Sequence, residues 1–141
     1  MNYSLDASAI FAYLNGEAGA SVVATLLADA NNRCCAHVMN LCEVHYGTLR
    51  ATNQKIASAA LATLYADGVV KRRDVSQHFW QRVGRLKARG RISLPDCFCI
   101  VLAQEVAGEV VTSDHHEFDP LVPLGIVPRT QSSSRTGNVV M

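Results

Sequence analysis

Four short runs of strand-forming residues recur along the chain, and each is followed by a stretch long enough to hold one or two helices. "YSLDAS" reads as a strand ending at Asp6, "CCAH" as a buried second, "VVKRR" as a third and "EVVTS" as a fourth, with "GIVP" as a short fifth. Parallel strands cannot be joined by tight turns and need crossover segments, usually helical. The alternation therefore predicts an α/β fold: a three-layer sandwich with a short, mostly parallel central sheet.

The intervening stretches carry their own start and stop signals. "SAIFAYLNG" suits a helix closed by Gly16, and "GASVVATLLADANN" one stopped by its Asn-Asn pair. "VMNLCEVHYGTLRAT" keeps helical spacing through Val38, Leu41, Val44 and Leu49, and alanine-rich "QKIASAALATLYADG" favours helix up to Asp67-Gly68. Asp74 is expected to cap "DVSQHFWQRVGRLKARG", and Ser93 to cap "SLPDCFCIVLAQEVAG" with Pro95 in its first turn. At 141 residues and 49% apolar composition the chain suits one domain, placed at residues 1–128. The remainder, 129–141, is a polar, serine-rich tail of disorder-prone composition.

No window has the length and apolarity of a membrane span, and the first fifteen residues lack the basic start of a secretion signal. Five cysteines, an odd number without C-x-x-C spacing, favour neither a disulfide framework nor a zinc site. They are read as reduced thiols filling a core, which points to the cytoplasm. Net charge is +1, but residues 71–91 hold eight of the thirteen basic residues and only one acid. The rest of the chain is correspondingly acidic, a polarity that would guide a polyanion toward an acidic site.

Those acids fall in telling places. In a parallel α/β sheet, ligands sit beyond the carboxyl ends of the strands. Asp6 closes the first strand, Asp114 lies just past the fourth, and Asp96 occupies the first turn of the helix leading into the fourth. Glu43 lies about a turn and a half into the helix after the second strand, on a face shared with Leu41, Cys42 and Val44. Helix capping accounts for Asp6, Asp96 and Asp114 taken singly, and an exposed helix position for Glu43. Taken together, four carboxylates at one edge would repel one another or demand a cation. Oxygen-only clusters suit Mg²⁺ or Mn²⁺, and such ions assist phosphodiester hydrolysis by activating water.

The segments "LDASAIFAYLNGE", "NLCEVHYG" and "LPDCFCIVLAQEVAGEVVTSDHHEF", in that order and spacing, resemble PIN-domain ribonucleases of the VapC toxin type over roughly residues 2–127. The resemblance implies a PIN-like fold and a Mg²⁺- or Mn²⁺-dependent endoribonuclease, the toxic half of a toxin–antitoxin pair. Asp6, Glu43, Asp96 and Asp114 would be its catalytic residues, with Asp6, Asp96 and Asp114 as metal ligands and Glu43 binding metal or positioning water. Ser8 and Thr112 would support the acids, and Glu117 would be a further acid. Implied partners are a cognate VapB-like antitoxin, an RNA substrate and a second copy in a homodimer.

Arg82, Arg85 and Arg89 recur at helical spacing after Lys71, Arg72 and Arg73, a face suited either to an RNA backbone or simply to solvent. His115 and His116 flank Asp114, but an oxygen-rich set favours magnesium over an imidazole ligand. His37, His45 and His78 are expected at the surface or core edge, and Phe79 and Trp80 in the core or a dimer contact, with base stacking as the alternative for the aromatics. Two other enzyme-like readings are weaker. An aspartate-based phosphatase would use Asp6, yet "DASA" lacks the second acid two residues on, and a phosphoacceptor domain would need an acidic pair before Asp6. A non-catalytic RNA- or partner-binding module on the same fold is the third alternative.

Overall fold

The computed structural model describes residues 1–114 and 130–132. Within them the chain runs β1 (Asn2–Leu5), α1 (Ala7–Leu14), α2 (Ala20–Ala28), β2 (Arg33–His37), α3 (Val38–Ala51), α4 (Gln54–Ala66), β3 (Val70–Arg72), α5 (Gln77–Ala88), α6 (Leu94–Glu105), β4 (Glu109–Thr112) and β5 (Thr130–Ser132). The strands form one sheet in the order β3-β2-β1-β4-β5, and every pairing is parallel. No helix among the described residues is long and apolar enough to cross a membrane.

Strand alternation divides the core between two faces. Tyr3, Leu5, Cys34, Ala36 and Val111 point to one side, where α1, α2, α3 and α4 cover them through Ile10, Val23, Val44 and Leu64. Cys35 and Val110 point to the other, beneath Phe79, Val83 and Leu86 of α5 and the wholly buried run Cys97–Ala103 of α6. The expected three-layer α/β sandwich is therefore present, its sheet parallel throughout. Gly108 fits the tight entry into β4, because a Cβ there would stand 2.3 Å from the Asn2 carbonyl oxygen on the neighbouring strand. Asn2 closes the same corner, its Nδ2 donating to the Val106 carbonyl at 2.7 Å.

Several local expectations need correcting. Ser76, rather than Asp74, caps α5 by accepting from the Phe79 amide at 3.2 Å. Asp74 is occupied elsewhere, taking both guanidinium bonds of Arg72 at 2.9 and 2.8 Å, and Arg72 holds its carboxyl below the usual range. Cys42 is exposed rather than core filler and so does not share the inward face of Leu41 and Val44, while the other four cysteines are buried and in no disulfide among the described residues. His37 is fully buried, not at an edge, whereas Trp80 is 51% exposed and contributes nothing to the core that Phe79 enters. "GIVP" lies outside the described residues; β5 forms instead within the stretch set apart as a tail, pairing Val110 with Thr130 and Thr112 with Ser132.

Candidate active site

The order of the strands selects the place. From β1 the sheet grows toward β2 and β3 on one side, and the chain then returns to add β4 on the other. The chain leaves β1 toward β2 and leaves β4 toward β5, in opposite directions along the sheet, and open parallel sheets bind ligands in the crevice at the carboxyl ends of such a strand pair. Asp6 follows β1 and Asp114 follows β4 by two residues, so both flank this crevice. A bond from the Asp6 amide to the Val111 carbonyl, 3.1 Å, carries the ladder up to the acid itself.

Asp6 is 1% exposed and caps α1. Its Oδ1 accepts from Ser8 Oγ at 2.7 Å and from the Ala9 amide at 2.8 Å, and its Oδ2 accepts from Thr112 Oγ1 at 2.5 Å. Thr112 Oγ1 also accepts from the Asp114 amide at 2.8 Å, and Ser8 Oγ accepts from the Ser113 amide at 3.0 Å. The hydroxyls of Ser8 and Thr112, 3.2 Å apart, thereby tie the two strand ends together, holding the Asp6 carboxylate and the backbone at Ser113 and Asp114. Burial pushes the Asp6 carboxyl up to about 6; the bonds from Thr112, Ala9 and Ser8 oppose that rise, and the charge of Asp114 adds to it. Three donors do not compensate for the loss of water and the presence of a second anion.

Asp96 and Glu43 approach from the helices. Asp96 is half-buried in the first turn of α6, its amide donating to the capping Ser93 Oγ at 3.3 Å, and α6 packs against β1. The wholly buried Cys99 one turn further on is tied to Ser4 of β1 at 3.3 Å, and its thiol is pushed well up by burial, then by the charge of Asp6, with Asp96 adding a smaller push. Both acids are therefore within electrostatic reach of one thiol. Glu43 is half-buried on α3, one turn beyond Asn40, whose Nδ2 reaches the Pro95 carbonyl next to Asp96 at 3.3 Å. Asn40 was not singled out in the sequence, although "NLCE" places it three residues before the acid, at the spacing that shares a helix face.

Asp6 lies beside the charge of Asp114, and Asp6 and Asp96 both act on Cys99, while Glu43 is linked to Asp96 only through Asn40 and Pro95. Among the described residues no three acidic, histidine or cysteine side chains close into a metal cage. A small hard ion does not require one. Magnesium keeps several waters and takes one or two carboxylates. Asp6 retains an unused Oδ2 lone pair beside the charge of Asp114, and the immediate donors are all oxygen, so the residues present fit such an ion. Glu117, His115 and His116 lie outside the described residues. In the basic block, Arg82 bonds Glu105 at 2.8 Å and Gln104 at 2.9 Å, tying α5 to α6, while Arg85 and Arg89 are exposed. His78 is exposed, and the buried His45 Nδ1 has no partner among the described residues.

The sequence matches the PIN domain family over residues 3–120. No curated protein matches it. Among solved structures it is similar to VapBC-1 from nontypeable Haemophilus influenzae, at 22% identity and a TM-score of 0.69, over 96% of this chain and 100% of that one. It is also similar to VapBC2 from Rickettsia felis, solved on a DNA fragment from the promoter, at 16% identity and a TM-score of 0.70, over 94% and 98%. A third similar structure is Mycobacterium tuberculosis VapC20, a Sarcin-Ricin loop cleaving toxin, at 16% identity and a TM-score of 0.61, over 79% and 87%.

Proposed function

This chain belongs to the PIN-domain family, its match spanning residues 3–120, and from that premise we propose that it is a divalent-metal-dependent endoribonuclease serving as the toxin of a VapBC-type toxin–antitoxin pair. The observation that carries the reading is the Asp6 carboxylate, buried, held by three donors and raised to about 6 with a second acid beside it. A carboxylate kept in that state forfeits stability that a cation would restore.

Asp6, Asp96 and Asp114 are assigned as the residues that hold Mg²⁺ or Mn²⁺, and Glu43 as the group that orients the attacking water. Ser8 and Thr112 fix the Asp6 oxygens, and Thr112 also fixes the Asp114 backbone, so the acids need no reorganisation on binding substrate. The ion would supply a water of lowered pKa and offset charge on the departing oxygen of the RNA phosphodiester. Exposed Arg85 and Arg89 are assigned to the RNA backbone; Arg82, engaged by Glu105, serves the scaffold.

For the antitoxin, an apolar cleft of about 370 Å³ between α1, α3 and α4, lined by Phe11, Leu14, Ala51, Ile56 and Ala60 among others, suits one face of an amphipathic segment. The exposed Tyr46, Leu49 and Trp80 suit the contact with a second copy in a cytoplasmic homodimer.

The phosphatase reading is weaker for a physical reason. Such a site needs a second acid two residues after the nucleophile to protonate the leaving group, whereas that position holds Ser8, whose hydroxyl donates to Asp6 Oδ1 at 2.7 Å. The deciding experiment is RNA cleavage with added Mg²⁺ or Mn²⁺, against EDTA and Asp96→Asn. Cleavage that survives the substitution would overturn the site assignment, and its absence under every metal condition would favour a non-catalytic binding module. Sequencing of RNA ends after brief expression would identify the target.

A further inference from the structure

We propose that Asn40 is a positioning residue that sets Glu43 against Asp96, an inference that rests on the nuclease reading above. Asn40 is 0% exposed, and its amide nitrogen donates to the Pro95 carbonyl at 3.3 Å while its amide oxygen is buried without a partner among the described residues. A buried, unpaired amide oxygen is costly, and an apolar side chain of the same size would avoid the cost. Its location supplies a reason for keeping it. Pro95 immediately precedes Asp96 in the first turn of α6, and Glu43 stands one turn beyond Asn40 on α3.

The bond from Nδ2 therefore spans the two acid-bearing helices at the level of their acids. Apolar packing between helices is non-directional and tolerates sliding. A hydrogen bond fixes the distance. The unpaired oxygen, bonded to the same carbon as Nδ2, lies at this junction and offers an acceptor for the water shell of a divalent ion, which retains several waters when bound by few carboxylates. Nothing equivalent serves Asp6 and Asp114, which are joined directly through Ser8 and Thr112. Asn40 gives the helix-borne half of the site the tie that the strand-borne half has from its hydroxyls.

The test compares the full chain with Asn40→Ala, Asn40→Leu and, as a control for lost stability, Val83→Ala in the opposite core layer. Two quantities are read: Mn²⁺ affinity by titration calorimetry in the absence of RNA, and kcat and KM for RNA cleavage. Both Asn40 variants are expected to bind Mn²⁺ about tenfold or more weakly and to lose kcat, with KM for RNA within roughly twofold of the parent. Val83→Ala is expected to keep the parental Mn²⁺ affinity. Asn40→Leu removes the unsatisfied oxygen and guards against misfolding of the alanine variant. If Asn40→Leu binds Mn²⁺ and cleaves like the parent, Asn40 only packs and the inference fails while the nuclease reading stands. A parent protein that neither binds Mn²⁺ nor cleaves RNA sinks the nuclease reading itself, and this inference with it.

Discussion

Two neighbouring parallel strands, β1 and β2, hand over to their helices through a buried ionisable cap, and the two caps have opposite fates. Asp6 caps α1 after β1, and His37 caps α3 after β2. His37 is satisfied on both nitrogens: Nδ1 accepts from the Met39 amide at 3.1 Å, which places the proton on Nε2, where it is donated to the Asp74 carbonyl at 3.0 Å. Its ring lies 5.5 Å from Phe79 and 4.7 Å from Phe98, and burial lowers its pKa, so it stays neutral. Asp6, with three donors of its own, is pushed up to about 6 beside Asp114. Burial alone therefore does not mark a functional group; burial with an uncompensated charge does.

The sharpest way to break this contrast is Asp6→Asn. Cleavage should fall by about a thousandfold or more, since a metal ion held at the site would be worth several kcal/mol of transition-state charge stabilisation. The metal-free protein should nonetheless melt higher at pH 8, because ionised Asp6 costs up to about 3 kcal/mol when its carboxyl is raised from 3.8 to about 6. Lower melting of the variant would show that Asp6 is an ordinary cap.

His37→Ala should do the reverse. Loss of two aromatic contacts, a cap and a buried volume should destabilise by about 3 kcal/mol, while kcat for the folded fraction should stay near the parental value. A collapse of kcat at temperatures where the variant is folded would move His37 into the site.

The pH dependence of metal-free stability separates the two caps on one axis. Asp6 has its folded pKa raised, so the folded state holds the extra proton between 3.8 and about 6, and stability falls as pH rises through that window. His37 has its folded pKa lowered from 6.5, so the unfolded state takes the proton first, and stability falls as pH drops below 6.5. In the parent the slopes oppose each other. Denaturant melts of Asp6→Asn should therefore show steeper acid loss than the parent, by about 2 to 3 kcal/mol over the interval. Parallel profiles would refute the assignment for Asp6.

Smallest is the separation within the basic helix. Arg82→Ala should cost up to about 1 kcal/mol through its partly exposed pair with Glu105. Replacing exposed Arg85 and Arg89 should leave stability unchanged, raise KM and lower the slope of log affinity against log salt by about 1 to 2. A slope insensitive to both arginines would leave them to solvent.

The site was legible where its chemistry is local. Asp6, Asp96 and Asp114 were singled out from strand ends and helix first turns, whereas Ser8 and Thr112 came only from the family resemblance; both hydroxyls donate to Asp6. Asp74 misled because Asp and Ser are comparable caps in sequence; the bidentate bond from Arg72 removed one candidate and left Ser76. Trp80 and Phe79 are adjacent, and only the placement of α5 on the sheet decided which ring is buried. Asn40 was passed over, and His37 expected at the surface or core edge, because their partners, Pro95 and Asp74, lie 55 and 37 residues away.

By itself the sequence determined the alternation of strands and helices, because periodicity and caps are read within a turn or two of each residue. Only the tertiary structure decided that β4 lies beside β1, that Asp6 and Asp114 therefore follow adjacent strand ends, and that Arg82 is engaged by Glu105. Strand order is settled by burying both faces of the sheet at once, a condition that no local stretch contains.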